Sequence, residues 1–199
     1  MTEVHKTEVN GEVTYTRGVD GVLHRTDGPA IILASGEEHW YRYGIKHRTQ
    51  GTGPASTFAD GSVMYFQRGF LTRDEEEPGP TIILSDGSEF WTQENLLHRN
   101  DGPAVTIKDM TDVPKNVKDY LYATVRAPYL PLGFGKKPSG VPHEPGTYWL
   151  RSGCYHSIHG PAIHLTSGEK QFYLYNKKVP SSQYSLDDMD LLLLKYMAQ

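Results

Sequence analysis

A phrase recurs in this chain. His24-Arg25-Thr26-Asp27-Gly28-Pro29-Ala30 returns as His98-Arg99-Asn100-Asp101-Gly102-Pro103-Ala104, and looser copies end at Gly53-Pro54-Ala55, Gly79-Pro80-Thr81 and Gly160-Pro161-Ala162. An internal repeat constrains architecture before any single residue does, because one copy cannot bury its own apolar face and must stack on the next. It also implies that the conspicuous residues of the phrase, copied once per unit, serve the scaffold.

With the Gly before Pro as anchor, a second Gly follows at Gly36, Gly61, Gly87 and Gly168, after Ser35, Asp60, Asp86 and Ser167. In the fourth copy Met110 holds that place. Asp-Gly between short alternating stretches signals a hairpin, and the expected turn is type I′. Farther on stands an aromatic residue, Trp40, Tyr65, Trp91 or Phe172, and then Gly44, Gly69, Asn95 or Asn176. Gly and Asn tolerate the left-handed region, so a second tight turn is expected. The second and fourth residues after Pro share a strand face: Ile31/Leu33, Ser56/Phe58, Ile82/Leu84, Val105/Ile107 and Ile163/Leu165, with only Ser56 polar. The expected fold is mainly β, an elongated antiparallel β-meander of about five two-stranded repeats.

The rhythm fails after Asp109 and resumes at Trp149, Gly153 and His156. Asp112-Val113-Pro114 reads as an N-cap with an early Pro, and Val113, Val117, Tyr120, Leu121, Thr124 and Val125 follow helical spacing to about Arg126. Residues 127–145 are rich in Pro and Gly and have no period. A single repeat domain over 1–199 is therefore expected, with a helix-plus-loop insertion at 110–145. Ser185 reads as the N-cap of a last helix through Leu192, Leu193, Tyr196 and Met197. It is expected to cap the array within 181–199; the rival reading is a helix for a partner or oligomer.

Composition narrows the function classes. At 37% hydrophobic, the 199 residues can bury a lean core. A net charge of -4, with no Lys/Arg stripe, disfavours nucleic-acid binding. The single cysteine, Cys154, excludes an intrachain disulfide and a multi-Cys zinc site. Residues 1–13 have no apolar signal region, and the longest apolar run, 191–194, cannot span a bilayer. A cytoplasmic protein with no membrane partner is expected; the oligomeric state stays open.

The phrase and its sequel, an Asp-Gly turn followed by Trp, resemble the MORN-like repeats of the HRxDGPA type in bacteria, phages and giant viruses. The ending resembles theirs too: Phe172-Tyr173-Leu174-Tyr175-Asn176-Lys177-Lys178-Val179 leads into a short helix after Ser181-Ser182. The resemblance covers about residues 11–110 and 146–199, and leaves out the insertion. It implies a binding surface, and a viral or bacterial origin.

Candidate sites are weighed against the repeat. His24, His47, His98 and His156 are expected to bond turn backbone beside Gly-Pro and to hold no metal. Arg25, Arg48, Arg73 and Arg99 should brace Asp27, Asp101 or the acidic residues of 74–77. Trp40, Trp91 and Trp149 should form a packing ladder, and Gly160-Pro161 launches the last unit as Gly28-Pro29 and Gly102-Pro103 launch theirs. Cys154, near His156 and His159, occupies the apolar place of Ile45, Phe70 and Leu96, so it reads as packing. Residues 133–140 lack the frame of a phosphate loop, and Pro138 blocks the helix that should follow. No catalytic residue, cofactor or metal is assigned. The partner-binding candidates are Tyr129, Leu130, Leu132, Phe134, Lys136 and Lys137, apolar anchors beside cations on a long loop. The leading expectation is a non-enzymatic module for a protein partner, host or phage. The alternative is a small-molecule or nucleotide-sequestering protein with a pocket between sheet and insertion, where Arg126, Lys136 and Lys137 supply cations.

Overall fold

The computed structural model describes residues 3–49, 51–73, 78–125, 142–187 and 189–197. Its body is a 14-stranded sheet whose strands follow one another almost wholly in sequence order. The chain thus forms the mainly β antiparallel meander that its repeat implies. Five units each give two strands, from Ile31–Ile32 with Glu38–His39 to Ile163–Leu165 with Lys170–Leu174. One pair precedes them, outside the Gly-Pro alignment. Strands β1 (Val4–Val9) and β2 (Glu12–Arg17) are joined by Asn10 and Gly11, both at positive φ. Asn-Gly between alternating residues was the sequence signal for it.

The two turns of a unit differ, which corrects one expectation. At the first, Leu33 N–H bonds Glu37 O, Gly36 N–H bonds Leu33 O, and only Gly36 is left-handed, at φ 86°. This is a three-residue loop with one αL position, not a type I′ turn. Met110 keeps the same conformation in the fourth unit, at φ 59°. The I′ geometry belongs to the second turn, where Tyr43-Gly44, Arg68-Gly69, Glu94-Asn95, Ser152-Gly153 and Tyr175-Asn176 are all left-handed pairs.

That second turn closes a separate small hairpin, Tyr41–Arg42 with Ile45–Lys46 in the first unit. The aromatic residue is the joint between sheet and hairpin. Trp40 donates its N–H to Ala55 O in the sheet and accepts from His47 N–H in the hairpin. Trp91 and Trp149 repeat both bonds.

Each hairpin tip hangs on the unit before it. Gly44 N–H bonds Leu23 O, and Tyr43 N–H bonds the His24 ring at Nδ1, 3.1 Å away. His47 takes Arg68 N–H and His98 takes Ser152 N–H in the same way. His24, His47 and His98 therefore do bond turn backbone, but in the next unit's hairpin and not beside Gly-Pro, whereas His156 Nδ1 makes no such bond. Burial holds all three rings below the usual histidine range, which keeps Nδ1 free to accept.

The sheet face expected to be the core is buried from Ser56 and Phe58 through Ile163 and Leu165, while Ile31 and Leu33 are half-buried. Helix α1 (Lys115–Thr124) joins this core through Val117 and Leu121, each worth roughly 1.5–3 kcal/mol of gross burial. Its N-cap is Pro114, with no side-chain cap, so Asp112 does not cap it. The ring of Pro114 disfavours helical geometry at Val113, and the helix starts after both. Helix α2 (Met189–Met197) seats Leu192 on Leu174 and Val179. Ser185 does not cap it either. Tyr184, bonded by Gly160 N–H and stacked on Phe172, ties the chain down first, and α2 begins only at Met189.

The Arg of the phrase lies flat on the aromatic joint. Arg25 covers Tyr15, Arg48 Trp40, Arg73 Tyr65 and Arg99 Trp91, at 3.8–4.1 Å from ring centre. Trp40 and Trp91 therefore stack under arginines rather than forming a ladder with each other. Arg25 and Arg99 also bond Asp27 and Asp101, as expected, whereas residues 74–77 lie outside those described. The other side of the guanidinium meets the Gly before Pro. A Cβ at Gly28, Gly79 or Gly102 would stand 2.5, 2.6 or 2.8 Å from it, so these glycines serve close approach, not a left-handed turn. Gly160 has no such neighbour, because Ser157 stands where the Arg would be. Gly102→Ala should cost about 0.5–2 kcal/mol by lifting Arg99 off Trp91, and most of that should vanish in an Arg99→Ala background. Urea unfolding of the four proteins in this cycle checks it.

Candidate functional site

The six partner-binding candidates, Tyr129, Leu130, Leu132, Phe134, Lys136 and Lys137, lie outside the described residues, as do Arg126 and the 133–140 stretch. Their frame is described. The insertion is a hairpin loop between adjacent strands: Val105–Ile107 enters it, and Gly146–Tyr148 returns beside that strand. Val125 and Pro142, the described residues that flank the segment, are both buried.

Helix α1 lies over the polar exceptions of the core. Lys46 holds the inner hairpin place that Leu23, Leu71 and Leu97 take elsewhere. Ser56 is the polar member of the sheet face, and His39 stands where the next units have Met64 and Phe90. The exceptions meet. Lys46 Nζ donates to Ser56 Oγ at 2.9 Å and to Tyr120 Oη, from α1, at 2.6 Å. The rings of Tyr41, Phe66 and Tyr120 surround the ammonium. Phe58 bridges His39 and Tyr120 edge-on.

Lys46 is buried, and no described carboxylate forms an ion pair with it. Desolvation brings its ammonium down to about 8. Burial first, and then the Lys46 charge, brings His39 down to about 4. Sequence spacing assigns these residues to places in their units but not to the strand under α1. The legible signal was the break in apolar pattern at Ser56; Lys46 and His39 break it too.

A second surface runs along the hairpin row. Val22, Tyr43, Ile45 and Phe70 are 38–63% exposed. Val22 rests against Gly44 and Ile45 against Gly69, where a Cβ would come within 3.2 Å. Leu96 and Cys154 continue the row half-buried, and burial pushes the Cys154 thiol up, away from the thiolate. Cys154 thus sits at the packing place expected for it, paired with Arg151.

Among the described residues no three His, Cys, Asp or Glu side chains gather where they could hold a metal ion, and no helix is long and apolar enough to cross a membrane. The chain matches no family model, no curated protein and no solved structure.

Tyr120→Phe removes an acceptor from a buried ammonium and should cost about 1–3 kcal/mol of stability. Lys46→Met should be neutral or stabilising, because the charge is desolvated without a paired carboxylate. The pH sign follows from the lowered lysine. Between about 8 and the ordinary lysine value of 10.5 the unfolded chain binds the extra proton, so this group adds stability as pH rises from 8 toward 10. Chemical unfolding across that range should give the rise in the parent protein and a flatter profile in Lys46→Met.

Proposed function

We propose that the chain is a non-enzymatic protein-interaction module of the MORN-like type, which presents the 110–145 insertion from a rigid repeat scaffold to a protein partner. The observation that carries this reading is the seat of the insertion. A tolerated spacer would need no fixed contact. Here α1 buries Val117 and Leu121 in the common core and bonds the charged exception Lys46. A long loop whose ends are held by a packed scaffold is where binding residues concentrate.

The repeat residues are spent on the scaffold, which also supports a binding role rather than chemistry. His24, His47 and His98 each hold a neighbouring turn, and Arg25, Arg48, Arg73 and Arg99 are stacked on rings. For a phage-encoded chain, the partner in this reading is a host defence or regulatory protein met in the host cytoplasm, and the module inhibits it. The exposed row of Val22, Tyr43, Ile45 and Phe70 gives a second apolar contact surface on the same scaffold.

One observation favours a second reading, a small-molecule or nucleotide binder. The polar cluster of Lys46, Ser56 and His39 lies between sheet and insertion, where such a pocket would be. A thermal-shift screen with nucleotides separates the two, because a ligand that binds the folded state must raise its stability.

Replacing residues 128–142 with a short Gly-Ser link should leave unfolding cooperative and circular dichroism unchanged, and should abolish partner capture in pull-downs. Undiminished capture by the deleted protein would overturn the assignment to the insertion.

A further inference from the structure

Among the described residues the outer edge of β1 has no partner in the sheet, whose strand order starts there. All six of its residues are exposed, and it is one of the two longest strands among the described residues. An exposed edge is a template for another strand unless something blunts it. The opposite end of the sheet is treated differently, since α2 packs on Leu174 and Val179 there.

The register decides which backbone groups of β1 face outward. Tyr15 N–H bonds Ala30 O, so the odd residues of β2 turn toward Ile31–Ile32 and the even ones toward β1. Thr16, Thr14 and Glu12 pair with His5, Thr7 and Val9. Hydrogen-bonded and free places alternate along an antiparallel strand, so Val4, Lys6 and Glu8 direct their N–H and C=O groups outward.

The side chains make this edge its own complement. Lys6 and Glu8 share a face and touch at 2.9 Å. Two copies of β1 related by a two-fold axis perpendicular to the sheet can meet with Lys6 opposite Lys6, or with Thr7 opposite Thr7. The first register sets like charges against each other. The second sets Lys6 opposite Glu8 of the other copy on both sides of the axis, so the four charges alternate, and those pairs use the outward backbone groups. Opposite charges facing across strands stabilise a pair, and like charges destabilise it. Thr7 also continues the row Thr14, Ile31, His39 and Ser56, so the core face of one sheet runs into that of the other.

We propose that β1 pairs antiparallel with β1 of a second copy, with Thr7 at the two-fold axis, joining two sheets into one. This does not rest on the identity of the partner held by the insertion.

Two measurements on the full chain test it. In a Cys154→Ser background, Thr7→Cys should give a disulfide-linked dimer under mild oxidation. A non-hydrogen-bonded antiparallel pair places its Cα atoms about 4.5 Å apart, within disulfide range. His5→Cys, which faces Val9 of the other copy, should not cross-link. In sedimentation velocity over a concentration series, the parent chain should associate, Lys6→Glu should shift to monomer, and Lys6→Glu with Glu8→Lys should associate again. These side chains are exposed, so unchanged thermal unfolding of the single variant confirms an intact fold. A parent chain that is monomeric at every concentration, or equal cross-linking at His5→Cys and Thr7→Cys, would overturn the proposal, as would a charge swap that stays monomeric.

Discussion

The array depends on how each unit holds the hairpin tip of the next. A type I′ turn puts two residues in the left-handed region, and a non-glycine residue there costs roughly 1–2 kcal/mol. Tyr43, Arg68 and Ser152 occupy such places, each with an N–H that needs an acceptor. The histidine of the preceding unit supplies it. Where that bond is missing the turn changes. Thr72 replaces the histidine before Glu94-Asn95, and His156 leaves Nδ1 without a hydrogen bond, packing instead on Tyr175. In those two units the second turn residue is Asn, not Gly. Its Oδ1 accepts from Leu71 N–H or Tyr155 N–H, a bond that Gly44, Gly69 and Gly153 cannot make. His-with-Gly and other-with-Asn are two solutions to one requirement, that every tip be bonded twice to its neighbour.

The rest of the phrase is read by contact. Arg lies between an aromatic ring and the Gly before Pro, and for that glycine the missing Cβ matters more than conformational freedom. A different device links the opposite turns. Asp60 holds Ser62, whose hydroxyl takes Ser85 N–H of the next unit, and Asp86 with Ser88 repeats it on Met110 and Lys108. Both ends of the second and third units are thus latched, while the core face between them supplies the burial.

The sequence was legible where one role repeats. The apolar face from Ser56/Phe58 to Ile163/Leu165, the break after Asp109 and the helix in it followed from spacing alone. The first turn was misjudged because Asp-Gly is compatible with one αL residue as well as two. The pair β1 and β2 was missed because it has no Gly-Pro. Lys46, Ser56 and His39 escaped as a cluster because spacing gives a place within a unit, whereas their meeting depends on where α1 comes to rest. Function is accordingly sought where the repeat departs from itself: at the insertion, at the polar exceptions under it and at the unpaired edge of β1.

The histidine latch is tested most directly by amide hydrogen exchange as a function of pH, corrected for intrinsic rates. His24, His47 and His98 accept only while neutral, and burial lowers all three, so stability from them is full above the ordinary histidine value of 6.5 and falls as pH drops below it. The amides of Tyr43, Arg68 and Ser152 should lose protection over that range, whereas Glu94, opposite Thr72, should not. Protection at Glu94 that falls in step with the other three, or no pH dependence at any of them, would contradict the latch.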